Sequence, residues 1–164
     1  MSSESNDLAL ELLSKGKELA SHMQTQLTAL LLGSNVQAQA QQFIQHGADR
    51  VLVVDNPKLK DFYAEPYLSA VTTLTKQYAP EIILIGSTRR GKELAARLAT
   101  RLETGCVPDC AKLSQNDQGN LVAERIVYGG NAVAKITFRT KPQIATVPPR
   151  TFDKPTPTAD RTGQ

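Results

Sequence analysis

The sequence predicts an α/β fold built on a mainly parallel sheet. Three observations point there. Short apolar runs at 26–32 (QLTALLL), 51–55 (VLVVD) and 82–86 (IILIG) alternate with segments of helical periodicity. The runs are continuously apolar, as strands covered on both faces are. The intervening segments are long enough to be crossover helices, which connect parallel strands with right-handed geometry.

The elements follow in order. Residues 7–23 predict a helix with Leu8, Leu12, Leu19 and Met23 on one face, Leu13 and Ala20 beside them, and Ser5, Asn6 or Asp7 as the N-cap. The run 26–32 is a strand ending at Gly33. Residues 35–46 are rich in Ala and Gln and read as a helix, with Gly47 just beyond it as its stop. After the strand 51–55, Pro66 opens a helix over 66–79 whose inner face is Leu68, Val71, Leu74 and Tyr78, and Pro80 ends it. After the strand 82–86, Leu94, Ala95, Leu98, Ala99 and Leu102 recur at spacings of three and four, giving a helix over 91–103. Beyond residue 105 the period shortens. Segments 109–114, 121–128, 132–138 and 143–147 read as strands extending one edge of the sheet, with turns at 116–119 and 129–131. Past Val147 the sequence PPRTFDKPTPTADRTGQ reads as linker or tail. The expected division is therefore a domain over 1–150 and a tail over 151–164.

Composition excludes several function classes. The chain has 164 residues, a net charge of +3 and only 5% aromatic residues, with no Trp. That charge is too small to argue for nucleic acid, and base-stacking platforms lack material. The two cysteines, Cys106 and Cys110, and two histidines, His22 and His46, do not assemble a metal site, and free thiols are expected. Both histidines fall at predicted helix ends, where a cation suits the dipole. The start MSSESND has no apolar signal core, and no run approaches the ~20 residues that span a bilayer. A soluble, cytoplasmic protein without membrane insertion is expected.

Chemistry has two candidate places. GSTRRGKEL, residues 86–94, follows a strand and opens a helix, the end of a parallel sheet where ligands bind. Gly86, Ser87, Thr88, Arg89 and Gly91 form a candidate anion or nucleotide loop, with Arg90 and Lys92 adding charge. It approaches a P-loop, but Glu93 stands where a Ser or Thr would ligate magnesium. The alternative is that the two glycines only shape the turn. YGGNAVA, residues 128–134, is a hairpin turn or a point of close approach for a partner. Asp109 and Asp117 read as turn residues. No nucleophile–base arrangement is visible, so a catalytic enzyme is disfavoured.

Four segments, LELLSKGKELA near the start, then IILIGSTRRGKELAARLATRLETGCVPDCAKL, RIVYGGNAVAKI and KPQIATVPPRTF, occur in this order. Together they resemble the alpha subunits of electron-transfer flavoproteins, including the FixB type, over most of residues 8–152. Ala96 stands where the family often has Pro, and Pro149 interrupts the usual approach to Arg150. The resemblance implies a three-layer α/β/α sandwich like the adenine-nucleotide α-hydrolase group. It implies a heterodimer with a beta subunit, with partner contact at Arg125, Tyr128, Gly130 and Asn131. It implies an electron carrier, not an enzyme, passing electrons between flavin dehydrogenases, as in fatty acid β-oxidation, and a quinone reductase. FAD is then held mainly by a carboxyl-terminal domain whose flavin motifs this sequence lacks, so the chain alone is expected to bind none. The family's first strand also has no counterpart ahead of the first helix, which predicts a marginally stable or partner-dependent chain. The competing expectation is a free-standing AMP- or ATP-binding module of the same fold group.

Overall fold

The computed structural model describes residues 3–164, with side chains from residue 6 onward. They fall into two compact units. One comprises residues up to Tyr67 together with Phe152–Gln164; the other comprises Leu68–Thr151.

In the first unit, α1 (Ser3–His22) precedes β1 (Thr28–Gly33), a short helix α2 (Ala40–Gln45) and β2 (Arg50–Asp55). α1 starts before the expected cap residues, so Asn6 and Asp7 lie inside it. The Ser5 side chain lies outside the described ones. Asn6 instead donates from Nδ2 to Gln42 Oε1 at 3.3 Å. Leu8, Leu13, Leu19 and Ala20 are buried as the periodicity predicts, and Leu10 joins them, whereas Leu12 and Met23 are only half-buried. The predicted helix over 35–46 is shorter, with a 3-10 turn at Gln37–Gln39 before α2. β1 and β2 pair in parallel, from Thr28 opposite Arg50 to Gly33 opposite Asp55. Leu10, Leu13, Ala29, Leu31, Val36, Phe43, Ile44 and Ala48 form this unit's core.

The segment 152–164 carries no helix or strand, yet its backbone and side chains are tied down. Thr158 N–H donates to Gln45 O at 2.9 Å. Arg161 donates to Asp49 Oδ1 at 2.6 Å and to Gly47 O at 3.1 Å. Asp49 also accepts from Lys17 Nζ at 2.8 Å and from Leu27 N–H at 2.9 Å. Burial raises the Asp49 pKa, but these donors and the charges of Lys17 and Arg161 overcome it and hold the carboxyl below its usual value.

α3 (Ala64–Tyr78) runs from one unit into the other. Its buried face is Leu68, Val71, Thr72 and Thr75, so the stripe is rotated from the predicted one and leaves Tyr78 exposed. The second unit continues with β3 (Ile82–Gly86), α4 (Arg89–Arg101), β4 (Cys106–Val107), β5 (Lys112–Gln115), β6 (Leu121–Val127), β7 (Ala132–Thr137) and β8 (Gln143–Val147). The late strands do not line up along one edge. β8 enters between β3 and β4, parallel to both, while β5, β6 and β7 make a separate antiparallel sheet. β8 is buried at every position, which is what a central strand requires. α4 buries Ala95, Leu98 and Ala99 against this parallel sheet, as its spacing predicts. Helices with mostly parallel strands make this an α/β sandwich fold.

Candidate functional site

The carboxyl end of β3 meets the start of α4 at Ser87 and Thr88. Gly91 shapes this turn by its approach to the Gly86 carbonyl. A Cβ on Gly91 would lie 2.0 Å from Gly86 O, so only glycine lets the helix begin this close to the strand. Thr88 is the N-cap of α4, its Oγ1 accepting from Gly91 N–H at 3.0 Å. Ser87 N–H donates to Val147 O at 2.7 Å, and Thr88 N–H to Gly86 O at 2.8 Å.

The Ser87 hydroxyl donates to the Asp109 carboxylate and lies 2.8 Å from Thr146 Oγ1. Thr146 is fully buried on β8. It also accepts from Asp109 N–H at 3.0 Å. Asp109 holds a left-handed backbone, φ 54°, in the segment after β4, which turns its side chain back toward the strand ends. Lys92 Nζ stands 3.4 Å from the carboxylate. The hydrogen bond from Ser87, opposed by partial burial and aided by Lys92 and by the charge of Arg125, holds Asp109 below the usual carboxylate range. Arg125 Nε is buried without a hydrogen-bond partner. Next in sequence, Cys110 is buried, and desolvation together with Cys106 pushes its thiol up to about 12. Such a thiol stays protonated and is a poor nucleophile.

Ser87 of the sequence-predicted loop, Lys92 beside it and the charge of Arg125 therefore act on one residue, Asp109, which sequence reasoning assigned only to a turn. The arrangement is a closed polar network. The N–H groups of Ser87, Thr88 and Gly91 are all engaged, and the anion facing the loop is the chain's own carboxylate. A phosphate or flavin pyrophosphate placed against Ser87 meets the Asp109 carboxylate. Arg89 is exposed at the helix start. Among the described residues, no group of three His, Cys, Asp or Glu side chains is arranged to hold a metal ion.

Tyr128, Gly130 and Asn131 lie apart from this network, at the β6–β7 hairpin. Tyr128, Gly129 and Gly130 all have positive φ (51°, 63° and 101°), and Asn131 Nδ2 donates to Tyr128 O at 2.8 Å. Tyr128 is 83% exposed. Next to it, Ile126 and Val133 are opposed across the strands and are 58% and 62% exposed. Sequence reasoning missed this aliphatic pair, although its register follows from a turn between Val127 and Ala132.

These features define an α/β fold with a polar network at the strand ends and an exposed apolar hairpin. A model of the electron transfer flavoprotein domain matches residues 2–164. The chain is 41% identical over 149 residues to the electron transfer flavoprotein subunit alpha of Clostridium acetobutylicum, covering 90% of this chain and 44% of that protein. It is 38% identical to protein FixB of Azorhizobium caulinodans, covering 88% of this chain and 40% of that one. It is also 38% identical to the lactate dehydrogenase (NAD(+),ferredoxin) subunit LctC of Acetobacterium woodii, covering 90% of this chain and 36% of that subunit. The chain belongs to the electron transfer flavoprotein family and corresponds to the amino-terminal domain of its alpha-type subunits. It spans less than half the length of these relatives.

Proposed function

We propose that this chain serves as the scaffold and subunit-contact domain of a cytoplasmic electron transfer flavoprotein and does not carry the redox step itself. The family match along residues 2–164 is the observation that supports the reading. In the complete complex FAD is held mainly by a further domain of the alpha subunit. Electrons then pass from flavin dehydrogenases, including those of fatty acid β-oxidation, to a quinone reductase. The 86–92 loop acts as a structural lock on Asp109, not as a nucleotide site.

The partner is a beta subunit, and the contact is the β6–β7 hairpin with Arg125, Tyr128, Gly130 and Asn131, extended by Ile126 and Val133. Tyr and Arg are enriched in binding interfaces. An exposed Tyr beside an exposed aliphatic pair supplies rigid apolar area that a partner can cover. The test is titration with a purified electron transfer flavoprotein beta subunit. The combined Ile126→Ser and Tyr128→Ala variant is expected to bind about tenfold or more weakly, a loss of about 1.4 kcal/mol. Its unfolding free energy should stay within about 0.5 kcal/mol per site of the parent, as for surface changes. Undiminished binding by the variant overturns the contact, and a stoichiometric flavin spectrum from the chain alone overturns the scaffold reading. Saturable AMP binding that vanishes when Arg89, Arg90 and Lys92 are all changed to Ala overturns the structural reading of the loop.

A further inference from the structure

Positive charge is concentrated on α4. Its 13 residues carry Arg89, Arg90, Lys92, Arg97 and Arg101 against the single carboxylate of Glu93, a net +4 on a chain whose total is +3. The other residues of the chain therefore sum to −1. All six charged side chains of α4 are exposed. The placement of the charge also runs against the helix. A helix N-terminus favours anions and its C-terminus cations. α4 has no acidic residue in its first turn and opens on Arg89 and Arg90, with Lys92 close behind. Lys92 turns to Asp109, 3.4 Å away. Residue choices that oppose local preference concentrate at functional surfaces.

The arginines form a row. α4 buries Ala95, Leu98 and Ala99. Away from that face, Arg90, Arg97 and Arg101 follow one another at seven and four residues. At 3.6 residues per turn they fall within about 20° of one line, about 10 Å and about 6 Å apart along the axis. Glu93 accepts from Arg97 at 3.0 Å, one turn away. The uncharged exposed residues of α4 are Ala96 and Thr100, both small.

We propose that the arginine row of α4 is a docking surface for an acidic helix of another protein, laid lengthwise along it with carboxylates at the same seven- and four-residue spacing. A guanidinium fork meets a carboxylate through two parallel hydrogen bonds. Ala96 and Thr100 let a second helix come close, because the distance between packed helices follows the side chains at the contact. They supply no large apolar side chain to sink into a bilayer. Glu93 interrupts the row and opposes an unbroken line of phosphates, whereas separate carboxylates step past it. Exposed ion pairs are individually weak, so this contact orients a partner more than it holds it. The surface is distinct from the β6–β7 hairpin, since α4 packs on the parallel sheet and the hairpin belongs to the antiparallel one.

The test is titration of the full chain, followed by amide NMR at low salt, with two synthetic helical peptides of identical composition. One carries glutamates at i, i+4 and i+11 of an alanine- and glutamine-based helix, the spacing of the row read antiparallel. The other carries the same glutamates spread around the helix. The patterned peptide is expected to shift the α4 amides and to bind about fivefold or more tightly than the scrambled one, weakening as salt is added. Changing Arg90, Arg97 and Arg101 together to Gln, which keeps helix preference, should weaken it about tenfold or more. The β3 and β8 amides report that this variant is folded. The Ile126→Ser and Tyr128→Ala variant should bind the peptide as the parent does, so failure here leaves the hairpin contact standing. Equal binding of the two peptides, or binding of neither, overturns the proposal whatever the triple variant does. So does capture of phosphatidylserine vesicles or of a single-stranded oligonucleotide that exceeds peptide binding and vanishes in the triple variant, since a membrane or a nucleic acid would then be the occupant.

Discussion

Gly91 is held by contact, not by conformational preference: a single methyl there would run into the carbonyl of Gly86. Gly91→Ala is expected to destabilise the chain by about 1–3 kcal/mol, the usual cost of overpacking. Gly105→Ala, whose added carbon would meet only Phe138 at 3.8 Å, should cost far less; urea unfolding of both variants measures the contrast. Asp109 and Asp49 make a different residue-scale prediction. Both carboxyls are held below their usual pKa in the folded chain, so each binds a proton more weakly folded than unfolded. Their contribution is complete above the usual carboxylate range and is lost as pH falls through the lowered folded values. Stability should therefore fall as pH drops below the usual carboxylate range. Asp109→Asn should flatten part of that acid limb, and urea unfolding across the range reads it. An unchanged acid limb in that variant would remove Asp109 from the account. Thr146→Val, which keeps the shape but deletes the hydroxyl shared by Ser87 and Asp109 N–H, should cost about 1–3 kcal/mol by leaving buried groups unsatisfied.

Among the elements, β1, β2, β3 and α4 were legible because each writes its burial into a local period. α4 carries its apolar stripe at three- and four-residue spacing, and β3 is an uninterrupted apolar run ending at Gly86, whose carbonyl Gly91 leaves room for. β8 was legible as a strand but not as the centre of a sheet. Nothing local distinguishes QIATV at an edge from QIATV between two neighbours, and its polar members are explained only by distant partners. Gln143 Oε1, for one, accepts from Leu121 N–H at 2.7 Å. α3 misled for a related reason: Thr72 and Thr75 are buried, the Thr72 hydroxyl included, whereas the larger Tyr78 is exposed. The candidate site divides the same way. The 86–92 loop is a strand–turn–helix signal that the sequence displays. The role of Asp109 depends on a side chain 22 residues away and has no local signature. Strand edges without a ladder partner among the described residues also belong at this scale. The hydrogen-bonding direction alternates along each strand, so Leu30 and Leu32 of β1 and Leu84 of β3 point their amides away from β2 and β8 respectively. Those amides should exchange faster than Leu31 and Ile85 on the paired sides.

At the scale of the whole chain, the first unit is discontinuous: the polypeptide leaves it after Tyr67 and returns at Phe152. Removing 152–164 should thus lower the stability of the first unit while leaving the amide protection of β3 and β8 in the second. Exchange measured on the truncated chain resolves the two. Composition alone marks 152–164 as spacer, being rich in Pro and Thr with little apolar content. Its anchoring gives it a different fate in the presence of proteases. Lys154 is followed by Pro155, which trypsin-like enzymes do not accept, so Arg161–Thr162 is the tail's one susceptible bond. The Arg161 side chain that such an enzyme must draw into its pocket is already committed to Asp49 and to the carbonyls of Gly47 and Ala48. A segment that reads as an easily trimmed end should therefore survive digestion until the Asp49 cluster opens, and the rate of that single cut becomes a clock for the opening.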